Sequence, residues 1–257
     1  MAITVLCLLA LVVASQALPY DLKPQILNGQ IAAEGQFPYQ VSIAVKVGQW
    51  VIDLCGGAII SENYVLTSAL CLIARTAEEL TVIAGTIDIE NRKFTYEVEK
   101  VIYHPLLNFD FKKNDIALLK LKKSFDKVST IQSIALPTKT DSLKVGDVAT
   151  VSGWGKHKKG EVADRHLRYA SVVISDLDEC RKIYKNDAYK IYDANVCAYK
   201  RGADVGPCFG DEGGPLTFNG KLVGFVSWSI NHCADGNIPF VYTNVSSYLD
   251  WIKENAV

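Results

Sequence analysis

Two acidic side chains are the groups best placed by type and context to do chemistry. Glu212 lies in Gly210-Asp211-Glu212-Gly213-Gly214-Pro215, a glycine-bracketed acid pair, and Asp115 lies in Asn114-Asp115-Ile116-Ala117-Leu118-Leu119. Two carboxylates can divide acid and base work when their surroundings separate their pKa values, so a hydrolysis run by Glu212 with Asp115 is one reading. No metal ligands or sugar-binding features accompany the pair, which counts against it. The chain has four histidines, His104, His157, His166 and His232. His104 precedes a proline, His157 follows Lys156 in a lysine-rich stretch, and His232 adjoins Cys233; each reads as a surface or loop histidine. No close cysteine or histidine pair has zinc-ligand spacing, so no metal and no other cofactor is expected.

The meaning of the cysteines depends on the compartment. Val5 to Val13 is an unbroken apolar run, followed by Ala14-Ser15-Gln16-Ala17 with small residues at the positions a signal peptidase reads. It is too short to span a bilayer. Residues 1–17 therefore read as a secretory signal, and 18–25, with Pro19 and Pro24, as a short leader. Cys7 falls in the signal; Cys55, Cys71, Cys180, Cys197, Cys208 and Cys233 remain. An even set in a secreted chain favours disulfides, with the pairing left open by spacing alone.

These groups must be held by short strands. From Ile26 onward, brief Val- and Ile-rich segments alternate with Gly, Pro, Asn and Asp: 39–45, 51–60, 97–102, 115–121, 147–154, 169–174 and 221–228. That pattern predicts an all-β antiparallel barrel or sandwich. Ser175-Asp176-Leu177-Asp178 resembles a capping signature and predicts a short helix through Cys180 with Ser175 as its cap. Ser247-Tyr248-Leu249-Asp250 predicts a C-terminal helix with Leu249 and Ile252 on one face. Leu121 to Gln132 is more polar and reads as a linker between two halves. Of the 257 residues, 49% are hydrophobic and the formal net charge is -1, enough for a core and too little charge to draw the molecule to nucleic acid or an anionic membrane.

The segment Gly210 to Pro215 resembles the G-D-S-G-G-P nucleophile motif of the trypsin/chymotrypsin-like serine proteases. Further similarities follow in family order: Ile26-Leu27-Asn28-Gly29, Phe37-Pro38-Tyr39-Gln40-Val41, Cys55-Gly56-Gly57-Ala58-Ile59-Ile60, Val65-Leu66-Thr67-Ser68-Ala69-Leu70-Cys71, the run from Asn114, Ser152-Gly153-Trp154-Gly155, Ser227-Trp228-Ser229 and Val241-Tyr242-Thr243. The resemblance covers nearly all of 26–257 and implies a chymotrypsin-like double β-barrel with a cleft between the barrels and a C-terminal helix. It also implies that the triad is degenerate. Asp115 holds the aspartate position, but Leu70 stands for the histidine and Glu212 for the serine. The backbone of Gly210 and Glu212 remains available for an oxyanion hole. Gly206 falls at the base of the specificity pocket, with Ser229 and Phe240 on its walls, and Phe240 is expected to fill it. Ile26 and Asp211 match the activation pair, yet Gln25 replaces the usual basic residue. Either another protease cuts after Gln25, or the chain stays single with Asp211 paired elsewhere.

The resemblance implies the disulfides Cys55–Cys71, Cys180–Cys197 and Cys208–Cys233. It points to a secreted, extracellular, inactive homologue, most similar to arthropod members, acting on a protease, inhibitor or substrate protein as decoy, cofactor or regulator. A residual or altered hydrolase and a lectin-like or small-ligand binder are the alternatives. Candidate contact surfaces are Lys156 to Lys159 and Arg181 to Lys190. Asn244-Val245-Ser246 is an N-glycosylation sequon.

Overall fold

The computed structural model describes residues 25–155, 165–185 and 190–257. The signal and nearly all of the leader lie outside these residues, as do His157, Lys156 to Lys159 and Tyr189. Among the described residues thirteen strands form two antiparallel systems: β1 (Gln30–Ile31), β2 (Gln40–Val47), β3 (Trp50–Ile59), β4 (Tyr64–Thr67), β5 (Leu80–Ala84), β6 (Phe94–Tyr103), β7 (Ala117–Leu121), β8 (Val148–Gly153), β9 (Arg168–Ile174), β10 (Asn195–Tyr199), β11 (Pro215–Phe218), β12 (Lys221–Trp228) and β13 (Phe240–Asn244). The first barrel closes in the order β2-β3-β4-β7-β6-β5. The second closes through β8, β9, β10, β13, β12 and β11, with β1 added on β9. This is the double β-barrel expected.

The strands form where side chains alternate between core and water. In β6, Tyr96 and Val98 point inward while Thr95, Glu97 and Glu99 face solvent. In β9, Ala170, Val172 and Ile174 enter the second core while Ser171 and Val173 stay outside. The first barrel is filled by Val41, Ile43, Val65, Val82, Leu119 and their neighbours. A separate cluster joins the barrels: Leu66, Leu118, Phe225, Val245 and Ile252. The C-terminal helix Leu249–Asn255 seals this seam with Leu249 and Ile252 on its inner face, as their spacing predicts. Burying a side chain such as Ile252 is worth about 1.5–3 kcal/mol.

Both helix starts differ from the sequence expectation. The helix Leu177–Ile183 is capped by Asp176, whose carboxylate accepts the N–H of Glu179. Ser175 instead donates to the carbonyl of Cys197. The second signature, at Ser247, caps nothing: a 3-10 turn, Val245–Tyr248, comes first and Asn244 caps that turn. In both places a neighbouring polar residue reaches the orphan N–H first, which residue types alone do not decide. The interbarrel connection is also longer than expected, running from the end of β7 at Leu121 to the start of β8 at Val148. It is partly inside, because Phe125 and Ile131 pack into the first core.

Candidate functional site

Leu70, Asp115 and Glu212 meet in the cleft between the barrels. The 3-10 turn Leu70–Leu72 follows β4, and Asp115 sits just before β7. Glu212 sits in the tight loop before β11, held against the first barrel by glycine contacts. Gly56 N–H donates to the carbonyl of Glu212 at 2.8 Å. Gly213, at φ +76°, leaves no room for a Cβ against Thr67 and the carbonyl of Gly56, so the motif's glycines are what let the barrels touch here.

Asp115 is buried and fully engaged. It accepts the Ser68 hydroxyl at 2.8 Å, the N–H of Leu70 at 2.9 Å and the Ser227 hydroxyl at 2.5 Å. Burial pushes its pKa up, and these donors pull it back. Leu70 offers no proton-accepting atom. The donor to Asp115 that a histidine ring supplies in a triad is here the hydroxyl of Ser68. Sequence reasoning missed this residue, although its signal was present: Ser68 stands where the family motif has alanine.

The Glu212 carboxylate turns back on its own backbone. It accepts the N–H of Gly210 at 2.7 Å. Of the two donors expected to form an oxyanion hole, the Gly210 N–H is thus taken by an internal anion that lies beside the other. Burial raises the Glu212 pKa, the two N–H groups and the nearby His232 lower it, and Asp115 raises it. The His232 ring stacks on Phe209 at 4.5 Å. His104 packs edgewise on Tyr248, against Trp251, and accepts the N–H of Leu106. His166 lies in a β-bridge with Asp88, away from the triad positions.

The pocket positions Gly206, Ser229 and Phe240 are all buried. Phe240 is buried in the second core beside Val226 and Tyr242, with Ala234 packed on the same cluster. A Cβ on Gly206 would meet the Ala234 side chain at 3.2 Å. Ser229 is buried beneath Tyr184, whose hydroxyl donates to the carbonyl of Pro239 at 2.5 Å. Tyr184 is therefore a wall of this region and not an exposed contact, which corrects its place in the candidate surface Arg181 to Lys190. Arg181 in that segment is tied to Asp178 and Asp193. Lys112 lies over the Trp228 ring, 5.9 Å from its centre. A groove of about 410 Å³ remains beside Gly210, lined by Ile52, Leu54, Trp154 and Arg165 among others.

Asp211 is fully buried, in a nest that Gly153 and Gly155 make by lacking side chains. Its oxygens accept the N–H of Gly155 at 2.8 Å and of Cys208 at 2.9 Å. In this uncut chain its partners are backbone amides, and burial pushes its pKa up to about 7. Ile26 is buried in the second core and holds φ +38°, an unfavourable conformation for a β-branched residue.

Cys180–Cys197 and Cys208–Cys233 are bonded. The third pairing is corrected: Cys55 and Cys71 are free thiols. Burial, then the neighbouring Cys55 and the carboxylates of Glu212 and Asp115, raise the Cys71 pKa well above its usual value. The thiolate needed for oxidation is thereby disfavoured. Among the described residues no group of His, Cys, Asp and Glu is arranged to hold a metal ion, and no helix is long and apolar enough to cross a membrane.

Known proteins are similar to this chain in sequence over most of its length. The chain is 36% identical over 242 residues to Trypsin-1 of Astacus astacus, covering 90% of this chain and 100% of that protein. It is 33% identical over 230 residues to Chymotrypsin-2 of Vespa crabro, covering 90% and 99%. With the serine proteinase stubble of Drosophila melanogaster it shares 32% over 245 residues, 90% of this chain and 31% of that longer protein. The trypsin family model matches residues 26–252. With its two closed barrels and that match, the chain belongs to the trypsin family of serine proteases.

Proposed function

We propose that this protein is a secreted, non-catalytic trypsin-family member that acts by binding a protein partner. One observation carries the reading: the Glu212 carboxylate occupies the N–H of Gly210 and so places a negative charge where the oxyanion hole would form. A transition-state oxyanion entering there meets a negative charge where it needs two donors, so the usual stabilisation becomes repulsion. Leu70 removes the proton carrier as well. In a related system the loss of the serine or the histidine alone costs roughly a millionfold in turnover. The buried Phe240 leaves no slot for a substrate side chain in front of Gly206.

What remains is a rigid scaffold carrying surface loops, where binding residues concentrate. The two disulfides fit an oxidising compartment. A partner protease, inhibitor or substrate protein would meet loops around the closed cleft without inserting a peptide bond into it.

The deciding experiment pairs activity with binding. Purified protein, whole and cut after Gln25, is assayed on a peptide library and with a fluorophosphonate probe. Neither hydrolysis nor labelling is expected. The double variant Leu70→His/Glu212→Ser is expected to regain labelling when cut, which shows that the scaffold is sound. Hydrolysis by the natural chain that vanishes in Glu212→Ala overturns the reading in favour of an altered hydrolase. Stoichiometric capture of one partner from the native extracellular fluid is the positive arm; a blank capture counts against the binding role.

A further inference from the structure

The sequon is placed by the fold in a way its sequence does not reveal. Asn244 closes β13, and its side chain makes a turn-capping bond in which Oδ1 accepts the N–H of Ser246 at 3.1 Å. The partner is an N–H, so the acceptor must be the oxygen, and Nδ2 is directed elsewhere. No described protein group takes Nδ2 in a hydrogen bond. Asn244 and Ser246 both line an open groove of about 900 Å³ on the second barrel, well away from Leu70, Asp115 and Glu212. Its apolar lining includes Leu143, Val145, Phe218 and Val223, and Val145 is 65% exposed.

We propose that Asn244 carries an N-linked glycan whose first sugars lie along this groove. The free Nδ2 attacks the anomeric carbon of an oligosaccharide carried on a lipid pyrophosphate. The N–C bond forms as the C–O bond breaks; the lipid pyrophosphate leaves with the electron pair, and one Nδ2 proton passes to a base of the transferase. Oδ1 keeps its bond to Ser246, so the capped turn survives modification. The C–H faces of the sugars cover Val145 and Phe218, while their hydroxyls reach the charged rim at Lys144 and Asp147. The proposal rests on the secreted reading, because the transfer takes place on the secretory route.

The test expresses the full chain in cultured animal cells and measures the protein in the medium. Intact mass should exceed the peptide mass by one glycan, and peptide N-glycosidase should remove it and leave Asp at position 244. The variants Ser246→Ala and Asn244→Asp should lack the glycan yet fold, since both preserve the capping bond. Secreted protein bearing no sugar at Asn244 overturns the site while leaving secretion intact; protein retained in the cytosol overturns both. Deglycosylation should speed amide hydrogen exchange severalfold at 143–147 and 218–223. Unchanged exchange there overturns the seating of the glycan in the groove.

Discussion

Asp115 and Asp211 are both buried acids beside the cleft, and the protein treats them differently. Asp115 has been supplied with neutral donors, two hydroxyls and a backbone N–H, from two separate segments of chain. Asp211 has two backbone N–H groups in the uncut chain. The first corner has been rebuilt as a closed structural anion in which Ser68 replaces the missing ring. The second keeps the form of a site that waits for a cation. The comparison teaches that an aspartate with no histidine at position 70 need not be stranded, since the Ser68 hydroxyl, two residues away in sequence, reaches both oxygens of its carboxylate.

Proton linkage tests the contrast most strongly. The folded-state pKa of Asp211 is raised to about 7 from an ordinary 3.8. The folded chain therefore holds a proton that the unfolded chain releases in that window. Its contribution is full below about pH 4 and is lost as pH rises through about 7, a change on the order of 4 kcal/mol. Burial raises Asp115 and Glu212 as well, which adds to the same slope. Thermal melting from pH 4 to 8 should show the uncut chain losing stability. The chain cut after Gln25 should lose much less, because an Ile26 ammonium beside Asp211 stabilises the charged form. Equal slopes in both would break the comparison.

Gly155→Ala comes next. Its Cβ would overlap the Asp211 carboxylate, and overpacking of this kind costs about 3 kcal/mol. Chemical denaturation of the variant measures it, and a loss near zero would mean that the nest is loose. Ser68→Ala should cost about 2 kcal/mol by leaving Asp115 short of a donor. Restoring a ring in Leu70→His/Ser68→Ala should recover part of that loss. Asp176→Ala, far from both corners, should cost about 1 kcal/mol as an ordinary cap deletion, while Ser175→Ala should cost less. The reverse order would show that Ser175 is the true cap.

Much of the fold could be read from residue patterns. Alternation in 97–102 and 169–174 marks strands that the structure confirms, because a half-buried strand must repeat every second residue. Wholly apolar stretches were harder to place, and β4 and β5, buried along their length, carry no alternation to read. At the site, Leu70 and Glu212 were legible as residue types. The direction of the Glu212 carboxylate was not, since the sequence does not say that it folds back onto Gly210. Tyr184 looked like a surface aromatic in a charged segment, and only packing against Ser229 and Pro239 made it a wall.

The sequence by itself determined which chemical groups this protein possesses at the positions the family resemblance singles out: Asp115, Leu70, Glu212 and Phe240. Those facts are written in single residues. The tertiary structure decided what the groups do to one another. It paired Ser68 and Ser227 with Asp115, set the Glu212 carboxylate on the Gly210 N–H, left Cys55 and Cys71 as free thiols, and set Asn244 at the rim of a groove. Apart from the Glu212 carboxylate, which folds back onto its own loop, these arrangements join segments distant along the chain, and they depend on how two barrels close and meet, which local residue pattern does not encode.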